Sequence, residues 1–279
     1  PKVKHAPPFS GAFAFLPYVA SQHMRGQNVT AGGQGPPKVL HSPYPFIGFG
    51  VAPLSKIMPP AHPFDSSYLR DADDGDKLKE ECGVFGVIGV ADASNFVALG
   101  LHALQHRGQE ATGMVTYDGQ QFHAHRGLGQ VGENFGSHDV IDRLRGQAAL
   151  GHVRYSTTGE TVLRNVQPLF AELVFGGFTI AHNGNLTNGY TLRDQLVTRG
   201  CIFQSTMDTE VILHLVATSA KKTVVDRMTD ALHQCQGAYA LVAMTATALF
   251  GVRDARGVRP LVLGELDGAY ILASETCAL

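Results

Sequence analysis

Glu80-Glu81-Cys82-Gly83-Val84-Phe85-Gly86-Val87-Ile88-Gly89-Val90 sets a thiol at the mouth of an apolar run, directly after an acidic, turn-rich stretch. Val, Phe and Ile among glycines read as a buried strand over Gly83–Val90. If the backbone were cut before Cys82, the new chain end would carry a nucleophile and a free amine on one residue. An α-amine with a pKa near ~8 can act as a base close to neutrality. A thiol near ~8.5 is easily ionised and is a strong nucleophile. The competing reading is an inert cysteine buried in a strand. Cys82 alone does not separate the two, so the decision falls to the residues downstream.

Those residues have the texture of a folded domain. Ser94 can cap a helix to about His106, with Val97, Leu101 and Leu104 on one face. Strand signals follow at Gly113–Tyr117, Gln121–His125, Ala148–Ser156 and Leu173–Ala181. Leu192 and Leu196 mark a helix that Gly200 stops; Met207 to about Ser219 is a second helix. Val224, Met228, Leu232 and Cys235 repeat at helical spacing as a third. The end is strand-rich again, over Ala238–Thr245, Ala248–Arg253, Pro260–Gly264 and Ala269–Ser274. Two runs of strands separated by paired helices predict sheets packed face to face with helices outside.

Upstream, residues 1–57 contain no Asp or Glu, many Pro and Gly, and no sustained period. Such composition argues against a packed core. A disordered extension, an acid-poor targeting sequence and translated sequence ahead of the true start all fit, with Met58 as a candidate start. Only five basic residues in this stretch make a thin transit peptide. Disorder or a non-native extension is therefore expected over 1–57. Across all 279 residues the net charge of -2 gives no electrostatic reason to expect nucleic acid or an anionic membrane as partner. Four scattered cysteines without a C-x-x-C pair argue against a disulfide framework and for a reducing cytoplasm. The longest apolar stretch, Ala238 to Val252, is too short and too polar to span a bilayer.

Short polar motifs sit at the ends of the apolar strands, where loops commonly carry function. They are Gln105-His106-Arg107-Gly108-Gln109, Gly151-His152-Val153-Arg154-Tyr155-Ser156-Thr157, His182-Asn183-Gly184-Asn185-Leu186 and Met207-Asp208-Thr209-Glu210. Taken singly, Asn183-Gly184 is a turn, Asp208 a helix N-cap and Arg154 a surface or ion-paired residue. In their order after Cys82, however, CGVFGV, LQHRGQEATG, GHVRYSTTG, AHNGNLTN and MDTE resemble the glutaminase domain of the class II, N-terminal nucleophile amidotransferases. Within that group the motifs are most similar to the amidophosphoribosyltransferases, and the closing RDARGVRPLVLG and ASETCAL fit the same family. Ala255 is a small departure, where the family more often has Pro.

The resemblance implies an α+β fold, a four-layer αββα sandwich, with residues 58–81 as a propeptide and 82–279 as the glutaminase domain. It implies that Cys82 attacks the amide of glutamine to form a γ-glutamyl thioester, its freed amine moving the proton. It further implies an oxyanion hole from the Asn183 side chain and the Gly184 N–H. Arg154 would hold the α-carboxylate and Asp208 the α-ammonium of the substrate. Arg107 is grouped with these substrate-side residues as an organiser of the loop near the nucleophile. The ammonia would serve 5-phosphoribosylamine formation from phosphoribosyl pyrophosphate, the first step of purine synthesis. That half, with its Mg2+, is expected outside this chain, because no apolar strand leads into paired acids and a Gly-Thr-Thr-like loop. A homo-oligomer is expected of the intact enzyme. The alternatives are the glutaminase half of another class II enzyme, such as glucosamine-6-phosphate synthase, and a non-catalytic domain of the same fold. His102/His106 and His123/His125 have metal-compatible spacing, but no carboxylate or Cys completes a ligand set nearby in sequence, so no metal is expected.

Overall fold

The computed structural model describes residues 12–17, 82–155 and 162–279, the first of these as backbone only. Two sheets carry the fold. Strands β1 (Ala12–Pro17), β6 (Leu169–Leu173), β7 (Gly176–Leu186), β8 (Gly237–Thr245) and β9 (Ala248–Arg253) form one sheet, ordered β1-β9-β8-β7-β6. Strands β2 (Gly83–Ile88), β3 (Ala111–Tyr117), β4 (Phe122–Leu128), β5 (Ala148–Arg154), β10 (Val262–Leu266) and β11 (Ala269–Ala273) form the other, ordered β10-β11-β2-β5-β3-β4. All pairings are antiparallel except β1 with β9. The helices are α1 (Ala93–Ala103), α2 (Val131–Phe135), α3 (His138–Arg143), α4 (Gly189–Thr198), α5 (Asp208–Thr218) and α6 (Val224–Leu232).

Strand alternation sorts the apolar residues into three layers. In β2, Val84 and Ile88 face the other sheet, where they meet Ala240, Val242 and Met244 of β8. Phe85 and Val87 face the opposite way, against Val97 and Leu101 of α1 and Val131 and Phe135 of α2. In β8, Leu241 and Ala243 turn outward to Ile212 and Leu215 of α5 and Met228 of α6. The sandwich is therefore αββα and the fold class is α+β, as the motifs imply.

Several local expectations change. Ala12–Pro17 is a strand beside β9, although 1–57 reads as lacking ordered structure; the alternating apolar AFAF pattern suits a place on the free edge of β9. The rest of 1–57 and the whole 58–81 propeptide lie outside the described residues. The strand expected over Leu173–Ala181 is two strands joined through Val174-Phe175, with Gly176 at φ +102° supplying the turn. Helix α1 starts at Ala93, whose N–H donates to Gly146 O at 3.2 Å, and Ser94 is buried inside the helix rather than capping it. Asn183-Gly184 is not a turn but part of β7, paired with Ala240 and Tyr239 of β8.

Candidate active site

Cys82 stands one residue before β2, and β2 pairs with β5 through Gly83 opposite Val153. Arg154 ends β5, so the register places Cys82 and this arginine side by side at one end of the sheet. The Cys82 thiol donates to Tyr155 O at 3.4 Å and its backbone N–H donates to Arg107 O at 2.8 Å. Across the space between the sheets, Asn183 lies in β7 on the same face as Ala181, which belongs to the inter-sheet layer. The Cys82 thiol and the Asn183 amide thus come from facing sheets.

One pocket is lined by Cys82, Arg154, Tyr155, Gly184, Leu186, Met207 and Asp208, among others. Arg154 is buried, 2% exposed, and directs Nη1 at the thioether sulfur of Met207, 2.8 Å away. A thioether is a weak acceptor, one a carboxylate readily displaces. Asp208 opens α5, with Met207 as the N-cap, so the plain capping role is not its own. Its Oδ2 accepts from Leu186 N–H at 2.9 Å and its Oδ1 lies 3.3 Å from His182 Nδ1. Burial works to raise the Asp208 carboxyl, but the His182 ring and the N–H groups of Leu186 and Thr209 outweigh it, so its pKa is held below the usual carboxylate range. The pocket therefore offers a fixed positive and a fixed negative group beside a thiol.

Asn183 is fully buried, and neither its Oδ1 nor its Nδ2 has a hydrogen-bond partner among the described residues. An amide left unsatisfied in the interior costs about 1–3 kcal/mol, and a catalytic role is one reason a native structure keeps such a group. Gly184 has φ +145°, and a Cβ there would sit 2.1 Å from Ala238 O. Only glycine can hold its N–H in that position.

Arg107 does not line the pocket. Its buried guanidinium reaches back to the nucleophile: Nε donates to Cys82 O at 2.7 Å and Nη1 bonds Glu275. Arg107, expected among the substrate-side residues, is placed by these contacts against the backbone of Cys82 and the carboxylate of Glu275. Gly108 lets this turn approach the strand end, since a Cβ would come 2.6 Å from the Arg154 carbonyl carbon.

Sequence reasoning missed the residues that hold these groups. Glu210 accepts from Gln204 N–H at 2.8 Å and from the N–H and hydroxyl of Ser205, both at 2.7 Å, fixing the loop that delivers Met207 and Asp208. Its place in Met207-Asp208-Thr209-Glu210 was a signal without a role. Gln167 grips the backbone of His182, accepting from N–H at 2.7 Å and donating to the carbonyl at 3.3 Å. His152 is wholly buried between the sheets, and burial, with Arg154 and His182 nearby, lowers its pKa to about 3. Ser156 and Thr157 lie outside the described residues. His106 acquires Glu275 and Cys277 as neighbours, their donor atoms all within 4.8 Å of one another, a grouping that sequence spacing does not show. His123 instead pairs with Asp118 at 2.8 Å. None of the described helices is long and apolar enough to cross a membrane.

The profile of the glutamine amidotransferase domain matches residues 152–279. An amidophosphoribosyltransferase of Rhizobium etli is 58% identical over 206 residues, covering 74% of this chain and 42% of the relative. The chloroplastic amidophosphoribosyltransferase 1 of Arabidopsis thaliana is 46% identical over 250 residues, 87% of this chain and 44% of the relative. That match is longer than Cys82–Leu279 and includes part of the preceding segment. The solved glutamine phosphoribosylpyrophosphate amidotransferase of Bacillus subtilis, complexed with ADP and GMP, superposes with a TM-score of 0.67 at 43% identity, covering 71% of this chain and 42% of that one. The chain thus spans less than half the length of the relatives it matches. Residues 152–279 thus carry a glutamine amidotransferase domain, in a chain similar to part of the amidophosphoribosyltransferases.

Proposed function

We propose that this domain hydrolyses the side-chain amide of glutamine through a thioester on Cys82. The observation that carries the reading is one pocket holding the Cys82 thiol, the buried Arg154 guanidinium and the Asp208 carboxylate. A free amino acid is a zwitterion, and Arg154 suits its carboxylate while Asp208 suits its ammonium. Cys82 Sγ attacks the amide carbon, and the Cys82 α-amine takes the thiol proton and passes it to the departing ammonia. The oxyanion is received by Asn183 Nδ2 and the Gly184 N–H, a donor set in which each member is worth about 3–4 kcal/mol in the transition state. Water then attacks the thioester, releasing glutamate and restoring the thiol.

While Glu81 is attached, the Cys82 nitrogen is an amide without useful basicity. Cys82 also has φ +63°, a left-handed conformation that costs a non-glycine residue about 1–2 kcal/mol. That torsion ceases to exist when the Glu81–Cys82 bond is cut, so scission releases the strain. The thiol can attack the Glu81 carbonyl, giving a thioester and a free amine, and water then frees the mature chain end. Residues 58–81 would be the propeptide. In the intact enzyme the ammonia would pass to a phosphoribosyltransferase domain and yield 5-phosphoribosylamine from phosphoribosyl pyrophosphate. Mg2+ would belong to that domain and has no part in the glutaminase step. A reducing cytoplasm suits the cysteine usage, and the net charge of -2 gives no reason to expect nucleic acid or an anionic membrane as partner; the intact enzyme would be a homo-oligomer, as the family resemblance implies.

The test is N-terminal sequencing of active material together with Cys82→Ala. Mature protein should begin at Cys82, and Cys82→Ala should lose nearly all ammonia release from glutamine. Full activity in Cys82→Ala, or in a chain still beginning upstream, would overturn the reading.

A further inference from the structure

Three side chains that glutamine hydrolysis does not use converge at the other end of the Arg107 guanidinium. His106 Nε2 lies 3.1 Å from Glu275 Oε2, and Cys277 Sγ lies 3.5 Å from the same oxygen. All three donor atoms fall within 4.8 Å of one another. Tetrahedral zinc, with bonds of about 2.0 Å to nitrogen and oxygen and 2.3 Å to sulfur, places its donors about 3.3–3.5 Å apart. The two pairs that share Glu275 Oε2 already stand near that separation.

The surroundings of the donors point the same way. His106 Nδ1 contacts Ala103 O at 3.1 Å, and a carbonyl can only accept, so the ring proton sits on Nδ1. Nε2, the other ring nitrogen, is turned toward Glu275 Oε2, where both can reach one ion. The second carboxylate oxygen of Glu275 is bonded to Arg107 Nη1, which orients Glu275 as outer partners orient metal ligands. His106 is more than half exposed, which gives an ion a path from solvent. Imidazole, carboxylate and thiolate together favour zinc over Mg2+ or Ca2+.

We propose that His106 Nε2, Glu275 Oε2 and Cys277 Sγ form a zinc-binding site, with water as the fourth ligand. Bound zinc fastens the turn Thr276–Ala278 to the turn Gln105–Arg107. Through Glu275 and Arg107 it steadies the carbonyl of Cys82. The site stands on its own donors and does not depend on the glutaminase reading.

The experiment is equilibrium dialysis of the metal-free full chain against Zn2+, with Co2+ as a spectroscopic probe. The expected result is one equivalent of metal and a thiolate-to-cobalt charge-transfer band. Cys277→Ser should abolish the band, and both it and His106→Ala should weaken zinc binding by at least about tenfold. Cys82→Ser should keep both band and affinity. The proposal is overturned if the wild-type chain binds no more zinc than the doubly substituted His106→Ala, Cys277→Ser chain. It is equally overturned if Cys82→Ser, and not Cys277→Ser, removes the band.

Discussion

Replacing Arg107 by lysine separates positioning from substrate binding. The guanidinium side chain is 0% exposed, with Nε on Cys82 O and Nη1 on Glu275. Lysine keeps the charge but not the planar fork, so it cannot serve both acceptors in the same geometry. A hydrogen bond to a charged group contributes about 1.5–3 kcal/mol. If its loss falls on the geometry of the nucleophile, kcat for glutamine drops about 10- to 150-fold. KM should change little, because Arg107 is not in the pocket that holds the substrate. Ammonia release measured across glutamine concentrations gives both constants, and urea unfolding confirms that the variant is folded. Glu275→Gln, which keeps an acceptor for Arg107, should cost less, and the double variant should be less than additive because the two share one tether. A folded Arg107→Lys enzyme with raised KM and unchanged kcat would place Arg107 on the substrate and refute the positioning argument.

Further outcomes follow from the other site residues. Arg154→Lys and Asp208→Asn should each raise KM for glutamine, and unchanged KM in both would remove the zwitterion clamp. Asn183→Ala should depress kcat about 100- to 1,000-fold with a smaller effect on KM, read from the same steady-state curves. Gly184→Ala forces a Cβ to within 2.1 Å of Ala238 O at φ +145°, so urea unfolding should report a loss of at least about 1–3 kcal/mol. His152, with its pKa lowered from 6.5 to about 3, binds a proton in the unfolded chain at pH 5 but not in the folded one. Stability should therefore be fully present above pH 6.5 and fall on acidification toward pH 3, His152 contributing about 1.4 kcal/mol per pH unit. His152→Gln should flatten that slope between pH 4 and 6 in urea midpoints; an unchanged slope would show that His152 does not carry it.

Strand and helix signals yield sheets packed face to face with helices outside, because each strand must send alternate residues to two faces and each helix buries only one; the four-layer order came from the family resemblance. Val84 and Phe85, or Val242 and Leu241, fall on opposite faces by alternation alone, and the apolar layers they occupy agree. Local signals failed where a neighbour decides. Val174-Phe175 is too apolar to read as a turn, and α2 and α3 are too short to show a period. The site divided along the same line. Cys82, Arg154, Asn183, Gly184 and Asp208 could be singled out because their motifs are short, contiguous and ordered, and four of them line one pocket. Gln167, Glu210 and His152 were not, since holding another residue's backbone or being sealed between sheets leaves no spacing to read. Sequence by itself determined the chemistry available: a thiol, a fork, a carboxylate and a glycine able to hold a positive φ. Only the tertiary structure decided that the Arg107 guanidinium meets the carbonyl of Cys82, and that Glu275, 169 residues away, and Cys277 meet His106. The physical reason is that side-chain charge and shape are local properties of a residue, whereas the partner across a sheet or at a strand end is chosen by how the whole chain packs.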